Sequence, residues 1–325
     1  MNLNSHLLQR MLRLPPPLTR DLTVVGDLRV PMRDGAVLLA DRWAPRTGGD
    51  GLPTALIRLP YGRSGMTAEP TVRPLAERGF QVLYTTEALN FSLALARGEE
   101  PAERAPVRLF VMGEEKWRDF PSWPPPGYEP QRFHLQPDGV LAAETSPESS
   151  PDGYRYDPAD PTPAVGGVRM AFGEKAGRVD NTALEARPDV ITYTTPALDE
   201  DVEVVGDVSA EIFFRSSLPF ADVFVRLCDV DADGRSTNVC DGLVSIVDAD
   251  RVSTAEVKMW PTAYRFKRGH RVRAQISSGA FPCYNRNPGT GEPRATATIL
   301  RAADQQIFHD PAHPSAVVLP VRRGA

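Results

Sequence analysis

The chain has 325 residues and a formal net charge of −5, and its length predicts about two domains. Its 32 prolines argue against an all-helical protein, because proline breaks helices and is tolerated in loops and at strand edges. The acidic balance lacks the basic patch of a nucleic-acid-binding protein. The chain also has no run of about 18 apolar residues, so we expect no transmembrane helix.

The first elements in chain order are a short helix and a β-hairpin. Apolar residues between positions 7 and 14 have helical spacing, unlike the continuous apolar stretch of a signal peptide. Residues 22–30 and 36–44 are predicted strands, and Asp34-Gly35 between them is a strong hairpin-turn signal.

A βαβ unit follows the hairpin. Residues 54–59 (TALIRL) are mostly apolar, and we interpret them as a strand buried on both faces. Residues 67–78 are a predicted helix, and residues 80–85 are a second buried strand. This order is typical of a parallel sheet. Residues 87–97 are predicted to form another helix.

Short strands dominate the chain after residue 100. They are predicted at 107–112, 131–135, 190–194, 203–214, 223–230, 238–247, 252–259, 270–278 and 315–321. Turns are predicted at Asp233-Gly234, Asp241-Gly242, Lys267-Arg268-Gly269 and Asn287-Pro288-Gly289. This pattern indicates a β-sandwich or jelly roll. Residues 136–190 are rich in Pro, Gly and acidic residues, and we expect long ordered loops there.

The cysteine count favours an intracellular protein. The chain has only Cys228, Cys240 and Cys283, an odd and sparse set that argues against a disulfide framework. Such usage fits a reducing compartment, so the sequence predicts a cytoplasmic protein.

Ser64 is the nearest candidate for a nucleophile. It lies in Tyr61-Gly62-Arg63-Ser64-Gly65-Met66, between a predicted strand and a predicted helix. A nucleophile elbow requires Gly-x-Ser-x-Gly, and Met66 occupies the position of the second glycine. The alternative interpretation is an ordinary strand-to-helix loop.

Two motifs carry metal-ligand residue types. The run from Asp229 to Gly234 copies the first half of a calcium loop, but its twelfth position is Cys240 where a bidentate Glu is needed, so a β-hairpin is the favoured interpretation. His309 and His313 have the spacing of a shared zinc site, but Pro311 between them breaks a helix. We expect no metal and no cofactor.

Four aromatic residues surround a proline-rich stretch. They are Trp117, Trp123, Tyr128 and Phe133. The favoured interpretation is a satellite core beneath a loop, and the alternative is a face for a ligand or partner.

Long motifs resemble the cocaine esterase / X-Pro dipeptidyl-peptidase family of serine hydrolases, also called CocE/NonD. The matching stretches are VPMRDGAVLLADRWAP (30–45), LIRLPYGRSG (56–65), VRLFVMGEEKWRDFPSWPPP (107–126), YRYDPADPTPAVGG (154–167), CDVDADGRSTNVCDG (228–242), GHRVRAQISSGAFPCYNRNPGTGE (269–292) and HPSAVVLPV (313–321).

The resemblance implies a mainly β chain. Its C-terminal part would be a jelly-roll β-sandwich of galactose-binding-like fold, preceded by an α/β-hydrolase domain that carries the Ser, Asp and His of a catalytic triad. In that family the position of Tyr61 supplies a hydroxyl to the oxyanion hole. Ser64 then belongs to the oxyanion loop and is not the nucleophile.

The chain departs from the family in its centre. The nucleophile elbow, the helical cap and the triad Asp and His have no matching positions, and the join lies in or near residues 84–90. The predicted domains are therefore an N-terminal helix or tail (1–20), a truncated α/β-hydrolase remnant (21–104) and the jelly roll (105–325). Loss of neighbouring strands would leave strand 54–59 with an exposed apolar edge.

The expected function follows from this departure. By resemblance the chain is related to hydrolases of esters or Pro-linked amides, with little or no activity of its own. The alternatives are a non-catalytic binding module that uses the jelly roll, and an active hydrolase with an unrecognised nucleophile such as Ser64. A small ester or peptide-like ligand and a second copy of the chain are the expected partners, without nucleic acid or membrane.

Overall fold

The computed structural model describes residues 9–10, 16–31, 37–46, 52, 54–58, 69–78, 81–85, 105–168 and 176–322. The chain divides into two compact units, residues 1–104 and 105–325. Two predicted elements lie outside the described residues, namely the helix at 87–97 and the Asp34-Gly35 turn. Of the predicted join at 84–90, only residues 84 and 85 are described.

The first unit contains one described sheet and one helix described over its length, and residues 9–10 are helical as well. Its elements are β1 (Leu22–Pro31), β2 (Val37–Pro45), β3 (Thr54–Arg58), α1 (Glu69–Ala76) and β4 (Gln81–Thr85). The strand order is β1-β2-β4-β3. β1 and β2 pair in antiparallel orientation, which confirms the predicted hairpin. β3 and β4 pair in parallel, with α1 between them along the chain, which confirms the predicted βαβ unit.

A small core holds α1 against this sheet. Val72 and Ala76 of α1 pack with Val82 of β4, and all three are fully buried. Burial of β3 on both faces stays a prediction, because Ala55 and Ile57 lie on one face, where they are partly buried against this core, and Thr54 is the one described side chain of the other face. Within the described sheet, β3 pairs with β4 alone. It therefore forms an edge of that described sheet.

The second unit is built almost entirely of strands. They are β5 (Val107–Val111), β6 (Lys116–Phe120), β7 (Glu129–Gln136), β8 (Val140–Ala142), β9 (Asp152–Tyr156), β10 (Ile191–Thr194), β11 (Val202–Gly206), β12 (Ser209–Ser216), β13 (Phe220–Val230), β14 (Ser236–Val247), β15 (Ser253–Lys258), β16 (Thr262–Phe266), β17 (Arg271–Ser277), β18 (Ala303–Phe308) and β19 (Ala316–Arg322). The described helices are a 3₁₀ turn, Pro137–Gly139, and α2 (Thr182–Glu185). The mainly β prediction is confirmed.

Thirteen of these strands form one continuous hydrogen-bonded sheet. Its main path is β14-β13-β17-β10-β8-β7-β19-β12-β18-β9, with β15 beside β12, β11 beside β19 and β16 beside β11. The remaining pair, β5–β6, is a separate hairpin. Because β12 and β19 each pair with three strands, the sheet branches there and encloses a core that includes Tyr193, Phe214 and Ile276.

Loop segments cover one side of β13. Almost every residue of β13 is buried, which a strand with one solvent-facing side does not show. The backbone oxygen of Val165 accepts a hydrogen bond from Arg226 of β13, and Asn181 also bonds to Arg226. The predicted ordered loops in 136–190 therefore lie over this strand, although β8, β9 and α2 interrupt them.

Two of the elements predicted after residue 100 are wrong. Residues 203–214 form two strands, β11 and β12, which separate after Gly206. Asp241-Gly242 is not a turn but lies in the middle of β14. A Cβ atom at Gly242 would collide with the carbonyl oxygen of Lys258 in β15, so glycine is needed there for close approach of two backbones.

Candidate functional site

Two residues singled out from the sequence have no described geometry. Tyr61, the oxyanion donor implied by resemblance, and Ser64 both lie outside the described residues. The role of Tyr61 therefore stays a prediction.

The calcium-like run is a β-hairpin, as favoured from the sequence. It joins β13 to β14, and the Asp231 carboxylate accepts hydrogen bonds from the backbone N–H groups of Asp233 and Arg235 at 3.0 and 2.9 Å. Asp229 is engaged elsewhere, by the Tyr264 hydroxyl at 2.8 Å and by Nδ1 of His270 at 2.9 Å. Its carboxylate is thus committed to the strands behind the turn.

The two histidines of the zinc-like motif have separate partners. His313 lies 3.0 Å from the Asp310 carboxylate, whereas His309 is paired with Ser149 and Asp152. Across the described residues, no group of three or more His, Cys, Asp or Glu side chains is arranged to hold a metal ion.

His309 joins a serine to an aspartate in a hydrogen-bonded chain. Its Nδ1 lies 2.8 Å from the Ser149 hydroxyl, and its Nε2 lies 3.1 Å from Oδ2 of Asp152. The Tyr193 hydroxyl donates to the same Oδ2 at 2.6 Å. Burial acts to raise the pKa of Asp152, but the hydrogen bonds from His309 and Tyr193 outweigh it and lower that pKa.

Ser149, His309 and Asp152 are the residue types of an acyl-transfer triad. They lack the exposure to substrate that such a triad needs. A catalytic histidine must take a proton from a nucleophile that a substrate can reach, beside donors for the oxyanion. His309 is only 1% exposed, and both ring nitrogens already have partners. The arrangement therefore fastens the segment before β9 to β10 and to the end of β18.

The predicted aromatic cluster divides into two parts. Tyr128 is buried in a small core with Val111 and Phe120, which matches the satellite-core interpretation for that residue. Phe133 is partly buried against the main core of the second unit, whereas Trp117 and Trp123 are exposed. The four residues therefore do not form one face.

Tyr128 also belongs to a charged network around Glu203. Its hydroxyl donates to the Glu203 carboxylate, which in addition pairs with Arg118 at 2.5 Å and Arg265 at 2.7 Å. Burial acts to raise the pKa of Glu203, but the three donors outweigh it and lower that pKa. This network ties the β5–β6 hairpin to β11 and β16.

A cavity of about 290 Å³ lies where β14 and β15 meet the segment after β17. We call it the Asp241 cavity, and its walls include Asp241, Gly242, Lys258, Met259, Trp260 and Tyr284. Asp241 lies in β14, at a position where the sequence predicted a turn. Sequence reasoning missed this site, because its residues come from three separate segments and form no motif.

Arg226 holds Asp241 in place behind this cavity. Nη2 and Nε of Arg226 lie 2.8 and 3.2 Å from Oδ2 of Asp241. Nη1 of Arg226 donates to the Val165 carbonyl oxygen and to Oδ1 of Asn181 at 2.5 and 2.7 Å. The arginine is 2% exposed, so this buried charge depends on its carboxylate partner.

None of the described helices is long and apolar enough to cross a membrane.

Comparison with known proteins identifies relatives among hydrolases. A family model described as X-Pro dipeptidyl-peptidase C-terminal non-catalytic domain matches residues 102–318. Cocaine esterase from Rhodococcus sp. (strain MB1 Bresler) is 36% identical over 237 residues, covering 66% of this chain and 41% of that esterase.

Two solved structures are similar as well. An alpha-amino acid ester hydrolase is 25% identical with a TM-score of 0.64, covering 72% of this chain and 44% of that one. An aminopeptidase from the marine sediment archaeon Thaumarchaeota archaeon is 23% identical with a TM-score of 0.62, covering 71% of this chain and 42% of that one, and supports the fold alone. The chain thus spans less than half the length of these relatives.

Proposed function

The chain belongs to the family of X-Pro dipeptidyl-peptidase C-terminal non-catalytic domains, within the cocaine esterase / X-Pro dipeptidyl-peptidase hydrolases, and we propose that it serves as the non-catalytic β part of such a hydrolase. Alone, it has little or no hydrolytic activity. The observation that carries this proposal is the family match over residues 102–318, nearly the whole β-rich unit.

The missing catalytic groups support this proposal. The sequence has no position that matches the nucleophile elbow or the triad Asp and His. Removing the serine or histidine of a triad costs about 10⁶-fold in kcat in a well-studied hydrolase. Within the described residues, the Ser149–His309–Asp152 chain does not replace it, because His309 is buried.

The proposal includes a division of the chain into three parts. Residues 1–20 form a helix or tail, residues 21–104 a truncated α/β-hydrolase remnant, and residues 105–325 a jelly roll, in a cytoplasmic protein. The central segment is lost near residues 84–90. Where activity exists, it is hydrolysis of an ester or Pro-linked amide in which Tyr61 donates to the oxyanion and the nucleophile comes from elsewhere.

A turnover assay tests this proposal. The purified chain is incubated with a 4-nitrophenyl ester and with an alanyl-prolyl 4-nitroanilide, next to its Ser64→Ala and Ser149→Ala variants. We expect hydrolysis no faster than with an equal concentration of a folded protein without esterase activity. Turnover that falls in either serine variant would overturn the proposal.

A second function, a non-catalytic binding module, is favoured by one observation. The Asp241 cavity presents polar atoms without partners among the described residues, beside an exposed tryptophan. Small-molecule sites combine a concave surface, aromatic side chains and a few placed polar groups in this way.

A further inference from the structure

We propose that the Asp241 cavity binds a neutral polyhydroxylated ring, such as a single pyranose sugar. Its volume of about 290 Å³ lies at the lower end of the range found for small-molecule sites. It therefore suits one ring better than an extended chain.

The back of the cavity offers an unused hydrogen-bond acceptor. Both contacts from Arg226 arrive at Oδ2 of Asp241, and no described group donates to Oδ1. Asp241 is 7% exposed, and its Oδ1 lacks a donor without being fully buried, so a group in the cavity can reach it. A ligand hydroxyl directed at Oδ1 would supply that donor.

Tyr284 adds a second polar group. No described group forms a hydrogen bond with its hydroxyl, while its ring packs edge-on against Phe224 with centroids 6.0 Å apart. Burial, with the nearby Asp241 carboxylate, raises the pKa of Tyr284. The hydroxyl stays protonated at neutral pH, so it can both donate to and accept from a ligand hydroxyl.

The charges around the cavity favour a neutral ligand. Arg226 already compensates Asp241, and Lys258, an exposed residue that lines the cavity, adds a positive charge near its opening. An ammonium group would therefore meet two positive charges and one negative charge. A carboxylate or phosphate would meet the lone pairs of Oδ1 on Asp241. A hydroxyl avoids both conflicts and bonds to either side chain.

Trp260 supplies an apolar surface beside these polar groups. Its indole is 54% exposed, although burial of an aromatic side chain is strongly favourable. One face of a pyranose ring carries mainly C–H groups, which pack on an indole while the hydroxyl groups at the ring edge reach polar atoms.

The cavity is held in shape without a ligand. The backbone N–H of Trp260 donates to the carbonyl oxygen of Asp241 at 3.1 Å, and Gly242 allows β14 to approach the Lys258 backbone closely. Preorganisation of this kind lowers the entropy lost on binding.

The test uses the full 325-residue chain and ligand-observed saturation-transfer NMR. The probes are methyl β-D-glucopyranoside and methyl β-D-galactopyranoside, with glucosamine and glucuronate as charged analogues. The variants are Trp260→Ala and Tyr284→Phe, and neither removes a side chain that hydrogen-bonds to the buried Arg226–Asp241 pair. Trp117→Ala is the matched control, because Trp117 is 63% exposed and lies on the separate β5–β6 hairpin.

We expect a signal from at least one neutral glycoside. Its affinity should fall about tenfold or more in Trp260→Ala, fall less in Tyr284→Phe and stay unchanged in Trp117→Ala. The proposal is overturned if no neutral glycoside binds, if binding persists in Trp260→Ala, or if a charged analogue binds as tightly. None of these results depends on whether the chain hydrolyses esters.

Discussion

The hydroxyl oxygen of Ser149 lies 2.8 Å from Nδ1 of His309, although the two residues are 160 positions apart. His309 is buried and its Nε2 faces Asp152, so this contact lies where a substrate cannot reach the imidazole. We interpret the contact as a structural hydrogen bond that holds the loop before β9 against the end of β18.

Replacing Ser149 tests this interpretation. We expect Ser149→Ala to lower the free energy of unfolding by about 1 kcal/mol, the usual net contribution of one hydrogen bond. The neighbouring Ser150→Ala is the control and should change little, because Ser150 is exposed. Urea unfolding measures both. Equal stability of the two variants would contradict a structural role for Ser149.

The Glu203 network provides the second prediction. Glu203→Gln removes the nearer of the two carboxylates that Arg118 and Arg265 share and leaves them only Glu114, at 3.3 and 3.2 Å, so we expect a loss of about 3 kcal/mol in unfolding free energy. Glu211→Gln is the matched control. Its pair with Arg132 is exposed on both sides, and its loss should cost at most about 1 kcal/mol. A similar cost in both variants would contradict the central position given to Glu203.

Gly242 is the subject of the third prediction. Gly242→Ala places a methyl group against the Lys258 carbonyl, and we expect it to cost about 1–3 kcal/mol through forced separation of β14 and β15. Gly153→Ala in β9 is the control, because its Cβ would meet only ordinary van der Waals contact. Thermal unfolding compares the two. A Gly242→Ala protein as stable as Gly153→Ala would contradict the close approach.

The fourth prediction concerns acid stability. Burial, with the nearby Arg132, lowers the pKa of His134 from its ordinary 6.5, and within the described residues its buried Nδ1 has no hydrogen-bond partner. Below pH 6.5 the unfolded chain therefore binds a proton that the folded chain does not, so stability falls as pH falls.

Chemical denaturation at several pH values checks the fourth prediction. His134→Gln should show a weaker decline in unfolding free energy from pH 7 toward pH 5 than the unmodified chain. The two proteins are compared as slopes, so that a constant packing difference cancels. Identical slopes would show that His134 does not carry the effect.

The strand positions could be predicted where side chains alternate or form apolar runs. Residues 223–230 and 252–259 correspond to β13 and β15. β9 and β18 were missed, because their sequences, DGYRY and ADQQIF, carry several polar residues within strands. Asp241-Gly242 was misread because the same dipeptide serves in hairpin turns and where two backbones approach closely.

The candidate sites were harder to predict from the sequence than the strands. Ser149, Asp152 and His309 meet only through the pairing of β9 with β18, which no local pattern indicates. The Asp241 cavity likewise needs β14, β15 and Tyr284 to converge. Family motifs did indicate the class of protein, because several long motifs occur along the chain in the order typical of the family.

The central claim is that this chain lacks a working nucleophile, and intact-mass spectrometry after treatment with a fluorophosphonate tests it most directly. We expect the mass of the 325-residue chain to stay unchanged under conditions that fully label a known serine esterase. One adduct per chain, removed by Ser64→Ala or Ser149→Ala and accompanied by ester turnover, would contradict the claim.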